Sequence, residues 1–144
     1  MGFITKFSKK YNFHYTKVIG TPEKEEYLEE ISRIIKHKDF IKNMNTIWDL
    51  RYCNFPENYN KFSSLLEFIE SAKKSSPIKG DNYKTVILVD TLEKYTNLSD
   101  YIILAKENKV NFEVNIFTDL YETLLWFKID KSHHKEILNF LLND

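Results

Sequence analysis

The chain has 144 residues, and its 21 basic and 21 acidic side chains leave no formal net charge at pH 7, which argues against a dedicated nucleic-acid binder with its basic excess. A hydrophobic fraction of 42%, with 15% of residues aromatic and only three Gly and three Pro, suits one folded domain with a real core and excludes a low-complexity chain. Cys53 stands alone, so no internal disulfide forms and a reducing compartment is expected; no stretch approaches the ~20 apolar residues of a membrane span, and residues 1–10 lack a signal peptide's apolar run. The expectation is a soluble, cytoplasmic protein.

Residues 3–7 alternate apolar and polar, and residues 11–19 continue with Tyr11, Phe13 and Tyr15 on one side, the pattern of two half-buried strands. Ser8, Lys9 and Lys10 between them predict a hairpin turn. Thr21 and Pro22 then mark a helix start, Thr21 as the cap and Pro22 in the first turn, where a missing N–H costs nothing. Tyr27, Ile31, Ile34 and Ile35 recur at helical spacing, which predicts an amphipathic helix over residues 22–37. Residues 46–51 follow as a strand, dense in β-branched and aromatic side chains and closed by two opposite charges.

Asn54, Pro56 and Asn58 mark a loop over residues 52–58. Phe62, Leu65, Leu66 and Ile69 predict a second helix over residues 59–74, ended by Ser75, Ser76 and Pro77. Val86 to Val89 form an unbroken apolar run, as in a strand covered on both faces. Leu98, Tyr101, Ile102 and Ala105 give a third helix, with Asn97 and Asp100 as its expected cap. Phe112, Val114 and Ile116 alternate with polar residues, as in a strand nearer the sheet edge. Asp119 and Glu122 resemble a capping box opening a short helix with Leu124, Leu125 and Trp126. Ile137, Leu138, Leu141 and Leu142 predict a last amphipathic helix over residues 132–142. Strand and helix alternate from Pro22 onward, so an α/β fold with right-handed crossovers and a mainly parallel sheet is expected, the initial hairpin adding an antiparallel strand.

The order of elements and several local phrases resemble the SpoIIAA-like, or STAS-type, domain family. Ile-Trp-Asp-Leu-Arg at residues 47–51 is similar to that family's strand ending in Asp-Leu-Arg, and residues 37–45 resemble the link that leads into it. Residues 20–35 look like the approach to its first helix, and residues 115–128 resemble its closing strand, Asp, short helix and Trp. The resemblance covers roughly residues 3–127 and implies a SpoIIAA-like domain over residues 1–128. Residues 129–144 are then a C-terminal helical extension, packed either on the domain or on a second subunit. In the family's anti-sigma-factor antagonists a phosphorylatable Ser follows the equivalent strand. Here residues 52–57 contain neither Ser nor Gly, so that motif is not matched.

Ligands gather beyond the carboxyl ends of strands in open α/β sheets. Asp49, Arg51, Cys53 and Asp90 all fall there and are the candidate ligand- or partner-binding residues. Two carboxylates at such an edge could hold Mg²⁺; the structural alternative is that Asp49 pairs with Arg51 and Asp90 caps a turn. Cys53 is a nucleophile only if a histidine lies beside it, and His14, His37, His133 and His134 come from distant segments. Adjacent His133 and His134 point about 100° apart on a helix and no further ligands fall at zinc spacing, so no metal is expected; no cofactor is expected either. Two function classes remain: a non-enzymatic STAS-like regulatory module that binds a protein partner or self-associates as a homodimer, and a small carrier or sensor for an apolar, lipid-like molecule. A hydrolase or phosphotransferase using Asp49 and Asp90 is a third. Where the surplus aromatics go discriminates the first two: an enclosed cavity points to the carrier, an exposed patch to the partner module.

Overall fold

The computed structural model describes residues 2–55, 62–110 and 112–143. Its elements run β1 (Phe3–Ser8), β2 (Phe13–Gly20), α1 (Lys24–Ile35), β3 (Asn45–Cys53), α2 (Phe62–Lys79), β4 (Lys84–Leu88), α3 (Leu92–Glu107), β5 (Glu113–Phe117), α4 (Leu120–Trp126), a 3₁₀ turn (Lys131–His133) and α5 (His134–Leu142). The five strands lie side by side in chain order. β1 is antiparallel to β2, and β2 to β5 are all parallel, as the alternation of elements predicts.

Both faces of the sheet are covered. On one, Tyr27 of α1 and Leu98 of α3 pack on Val18, Leu50, Ile87 and Val89, and Leu65 and Ile69 of α2 pack on Leu104 of α3. On the other, Leu124 of α4 and Ile137 and Leu141 of α5 pack on Phe13, Tyr15, Ile47 and Leu88. The run 86–89 therefore sends alternate side chains into two cores, which is why it carries no polar residue. The C-terminal helix lies on this chain's own sheet. It is also tied to the edge strand: the Lys6 ammonium on β1 donates to the carbonyl of Phe140 at 2.9 Å and to that of Asn143, oxygens that the end of a helix leaves unpaired.

The helix boundaries show where tertiary contacts overrule local signals. α1 is capped by Glu23 and not by Thr21, and the Glu26 carboxylate accepts the Glu23 N–H at 3.1 Å. α2 runs through Ser75, Ser76 and Pro77, the expected stop, and ends at Lys79. The joint that ends it is supplied from outside the helix. The Asn43 N–H caps the Lys79 carbonyl at 2.8 Å, its side-chain oxygen accepts from Asn82 N–H at 3.0 Å, and Gly80 closes the turn at φ +95°. α3 begins at Leu92, because Thr91 accepts the Lys94 N–H at 3.2 Å; the expected cap, Asn97, lies in the middle of the helix. Asp119 caps α4 as expected, accepting the Glu122 N–H at 2.8 Å. The first turn expected for the second helix, and Pro56 and Asn58 of the preceding loop, lie outside the described residues.

Two buried polar groups lie under α1 and α2. Glu30, on the inner side of α1, accepts from Arg33 Nε and from the Thr5 hydroxyl, both at 2.9 Å, which fastens the helix to the edge strand. His14 is 2% exposed, with one ring nitrogen 2.9 Å from the Thr46 hydroxyl and the other, Nδ1, unpartnered among the described residues. Burial holds this imidazole neutral, with its pKa lowered to about 3.

Gly80→Ala is expected to destabilise by about 2 kcal/mol or more, since a Cβ there would meet the Asn43 side chain at 1.9 Å on a left-handed backbone. Gly20→Ala, also at positive φ but with nothing within 4 Å, is expected to cost about 1 kcal/mol. Urea denaturation that ranked the two alike would disprove the Asn43 joint. For His14, the unfolded imidazole protonates near its ordinary 6.5 and the folded one only near 3. The unfolded state therefore holds one more proton within that window, and stability is lost as pH falls through it, by about 1.4 kcal/mol per unit at most. His14→Gln is expected to flatten the pH dependence of urea stability by that slope between those two values.

Candidate functional site

The candidate residues sit where β3 and β4 run out. Along β2 and β3 the register slips, since Lys17 faces Asp49 but Ile19 faces Tyr52. β3 thus takes three steps where β2 takes two, and its side chains change sides. Asp49 lies on the α4/α5 side beside Tyr15, while Cys53 falls with Leu50 into the core under α1 and α3. Strict alternation would have put Asp49, Arg51 and Cys53 on one face. The slip separates them.

Asp49 is 0% exposed and fully engaged. Arg51 grips its two oxygens through Nε and Nη2, both at 2.9 Å. The Tyr15 hydroxyl donates at 2.5 Å and the Arg51 N–H at 3.2 Å. This is the bidentate fork of an Arg–carboxylate pair with its remaining lone pairs filled. It raises the Arg51 pKa through the Asp49 hydrogen bond, and burial, reinforced by Asp49, raises that of Tyr15. The outer side of the guanidinium lies 5.5 Å from the Tyr52 ring centroid, and the Lys17 ammonium lies 4.3 Å from the same ring.

Asp90 is held separately. Lys94, one turn into α3, donates to Asp90 Oδ1 and to the Leu50 carbonyl, each at 2.8 Å. Cys53 is buried, donates to the same Leu50 carbonyl at 3.4 Å and receives the Tyr27 hydroxyl at 3.9 Å. Burial pushes its thiol pKa up, which disfavours the thiolate a nucleophile requires. The histidines are engaged elsewhere: His14 with Thr46, His37 stacked on Phe7, His133 against Tyr11, and His134 on the Ile129 carbonyl. Among the described residues no three His, Cys, Asp or Glu side chains gather where they could hold a metal ion, and no helix is long and apolar enough to cross a membrane.

Arg51, Cys53 and Asp90 line one cleft of about 640 Å³ beyond the strand ends, with Lys94 and Phe55. Asp49 is not on its wall; it anchors Arg51 from beneath. Tyr52 on the cleft wall is 50% exposed, and Leu92, between the wall residues Thr91 and Glu93 in the chain, is 79% exposed. Lys94, Tyr15 and Tyr27 escaped the sequence reading. The spacing of Asp90 and Lys94, four apart at a helix start, could have revealed that pair. A second concavity lies inside the layer of α1, α2 and α3. Tyr27, Trp48, Phe68, Tyr101 and Phe112 line a pocket of about 90 Å³ against the sheet.

No family model matches this chain, and no curated protein matches it. Among solved structures it is similar to an uncharacterised protein of the DUF3478 family with a SpoIIAA-like fold from Shewanella loihica PV-4, with a TM-score of 0.53 and 11% identity over 87% of this chain and 91% of that one. That likeness shows the fold. The chain has the SpoIIAA-like α/β architecture that its Asp-Leu-Arg strand resembles, a five-stranded, mainly parallel sheet with an antiparallel first strand.

Asp49→Asn is expected to destabilise by about 2 kcal/mol, because it leaves the half-buried Arg51 guanidinium without its counter-charge. Tyr15→Phe removes one hydrogen bond and is expected to cost about 1 kcal/mol. Chemical denaturation of the two variants checks the order; equal or reversed losses would remove the fork from its structural role.

Proposed function

We propose that the protein is a non-enzymatic regulatory module of the STAS-like kind, acting in the cytoplasm by binding a protein partner over the cleft at the carboxyl edge of the sheet. The observation that carries this reading is exposed apolar surface: Tyr52 on the cleft wall and Leu92, beside wall residues in the chain, project into solvent at a cleft where Arg51 and Lys94 each already hold a carboxylate. A tyrosine beside an oriented arginine matches the residue types enriched at interface centres. The interior supports binding over chemistry, since Asp49 and Asp90 each face their own cation and the Cys53 thiol is buried. The reading as a carrier of lipid-like molecules has less support. Its cavity is about 90 Å³, against the roughly 300 Å³ at which pockets for drug-sized ligands begin, too small for a lipid chain.

The test is site-specific photocrosslinking in cells, with the photoreactive residue at exposed Leu92 and, as control, at exposed Glu29 on α1. A discrete adduct is expected from Leu92 alone, and Tyr52→Glu is expected to reduce its yield roughly tenfold, as loss of a central anchor does. An adduct of twice the chain mass identifies the partner as a second copy. Equal products from Leu92 and Glu29, or none from either, would overturn the reading.

A further inference from the structure

The pocket between the sheet and helices α1 to α3 is lined mainly by apolar side chains, with Ser71, Thr85 and one charged residue, Lys79, among them. The ammonium sits over two stacked rings, 5.1 Å from the centroid of Tyr83 and 5.9 Å from that of Phe112. Over a ring the ammonium meets a π face. No carboxylate or carbonyl meets Lys79 Nζ among the described residues, whereas the ammonium of Lys94, on the strand-end cleft, has two oxygens at 2.8 Å. Two hydroxyls on the same wall, those of Thr85 and Tyr101, also have no hydrogen-bond partner among the described residues. Three donors thus line one largely apolar pocket without a hydrogen-bond partner among the described residues. An anion is the group that would pair with the ammonium and accept from the hydroxyls.

The surroundings favour an anion in a second way. Ala72 and Phe112, on the pocket wall, also line an outer depression of about 340 Å³ between the ends of α2 and α3. That outer wall adds Lys73 and Lys109 and has no Asp or Glu among the described residues, so the approach attracts negative charge. The titratable groups facing the Lys79 ammonium are Tyr83, Tyr101 and His14; none supplies a negative charge at neutral pH. Burial alone holds the Lys79 pKa down to about 8, with no charged partner contributing. It remains mostly protonated at pH 7.

We propose that this pocket is a binding site for a short-chain monocarboxylate, its carboxylate on the Lys79 ammonium and the Thr85 and Tyr101 hydroxyls, its hydrocarbon end against Leu50, Phe68 and Ile87. Size sets the length. An apolar cavity of roughly 150 Å³ accepts benzene, so about 90 Å³ takes a molecule of roughly four heavy atoms. That is the scale of acetate, and propionate is one carbon longer. The site differs from the strand-end cleft in residues and in ligand class, and it stands whether or not a protein partner binds there.

Titration of the full chain with sodium propionate in a low-chloride buffer tests it, read by the NMR resonance of the Trp48 indole N–H, a group on the pocket wall. Saturable shifts are expected. Lys79→Met should weaken binding roughly tenfold or more, and propanol, of equal length without the charge, should bind at least as weakly as that variant. Lys79→Met is also expected to raise the melting temperature, since it removes an unpaired ammonium and keeps the volume. Ala72→Leu, which narrows the pocket and leaves every charge in place, should weaken propionate similarly, a control should the first variant misfold. No saturation with propionate, or unchanged binding in Lys79→Met, would overturn the proposal. Saturation by chloride as tight as by propionate would also overturn it, leaving a site for an inorganic anion only.

Discussion

Handedness governs this architecture. β2 to β5 are parallel and adjacent in both sequence and space, and a crossover between parallel strands is right-handed in nearly every case. Three consecutive crossovers that advance in one direction must place their helices on one face. α1, α2 and α3 therefore share a layer, and the opposite face, with Phe13, Tyr15, Ile47 and Leu88, receives cover from helices that connect no strands. α4 and α5 fulfil that need. The amphipathic tail is thus a structural necessity of the sheet it covers, since a short helix gains its stability from tertiary packing.

The same directionality gives the sheet two unlike edges. All carboxyl ends of β2 to β5 emerge together, where loop residues and the start of α3 enclose the cleft. Every ion pair met there is local: Arg51 with Asp49, Lys94 with Asp90. Such pairs fix side-chain positions and occupy both cations of the described wall, which suits a shaped surface better than a reaction centre. Inside the α1–α3 layer the pattern reverses, with the Lys79 ammonium and the Thr85 and Tyr101 hydroxyls on a largely apolar wall and no hydrogen-bond partner for them among the described residues.

Element type and order were legible because they rest on local periodicity. The run at 86–89 announced a doubly covered strand, and Asp119 announced its helix, each through a signal confined to a few residues. What stayed hidden depended on distant partners. Ser75, Ser76 and Pro77 read as a helix end until Asn43, some thirty residues earlier, supplies the cap at Lys79. Asn97 read as a cap because Thr91 competes for the same role and wins by position. Cys53 could not be assigned a side, since a register slip is a property of two strands together. The aromatic surplus divides between an inner pocket and exposed positions such as Tyr52, Tyr95 and Tyr121. The sequence pattern marks which turns of a helix are apolar, but not whether the facing layer fills the space beneath them.

The Lys6 link from β1 to the end of α5 joins residues 134 positions apart. Closing so long a loop adds little to the equilibrium cost, because that cost rises only with the logarithm of length. In time it matters more. Contacts of wide sequence separation are the slow ones, while the hairpin and the three crossovers form from neighbours. The α1–α3 side can therefore consolidate while Phe13, Tyr15 and Ile47 still face water, waiting for the last helix to dock. That interval, and not the finished structure, is where an apolar sheet face is open to wrong partners, and it ends when the ammonium of the first strand reaches the carbonyls of the final turn.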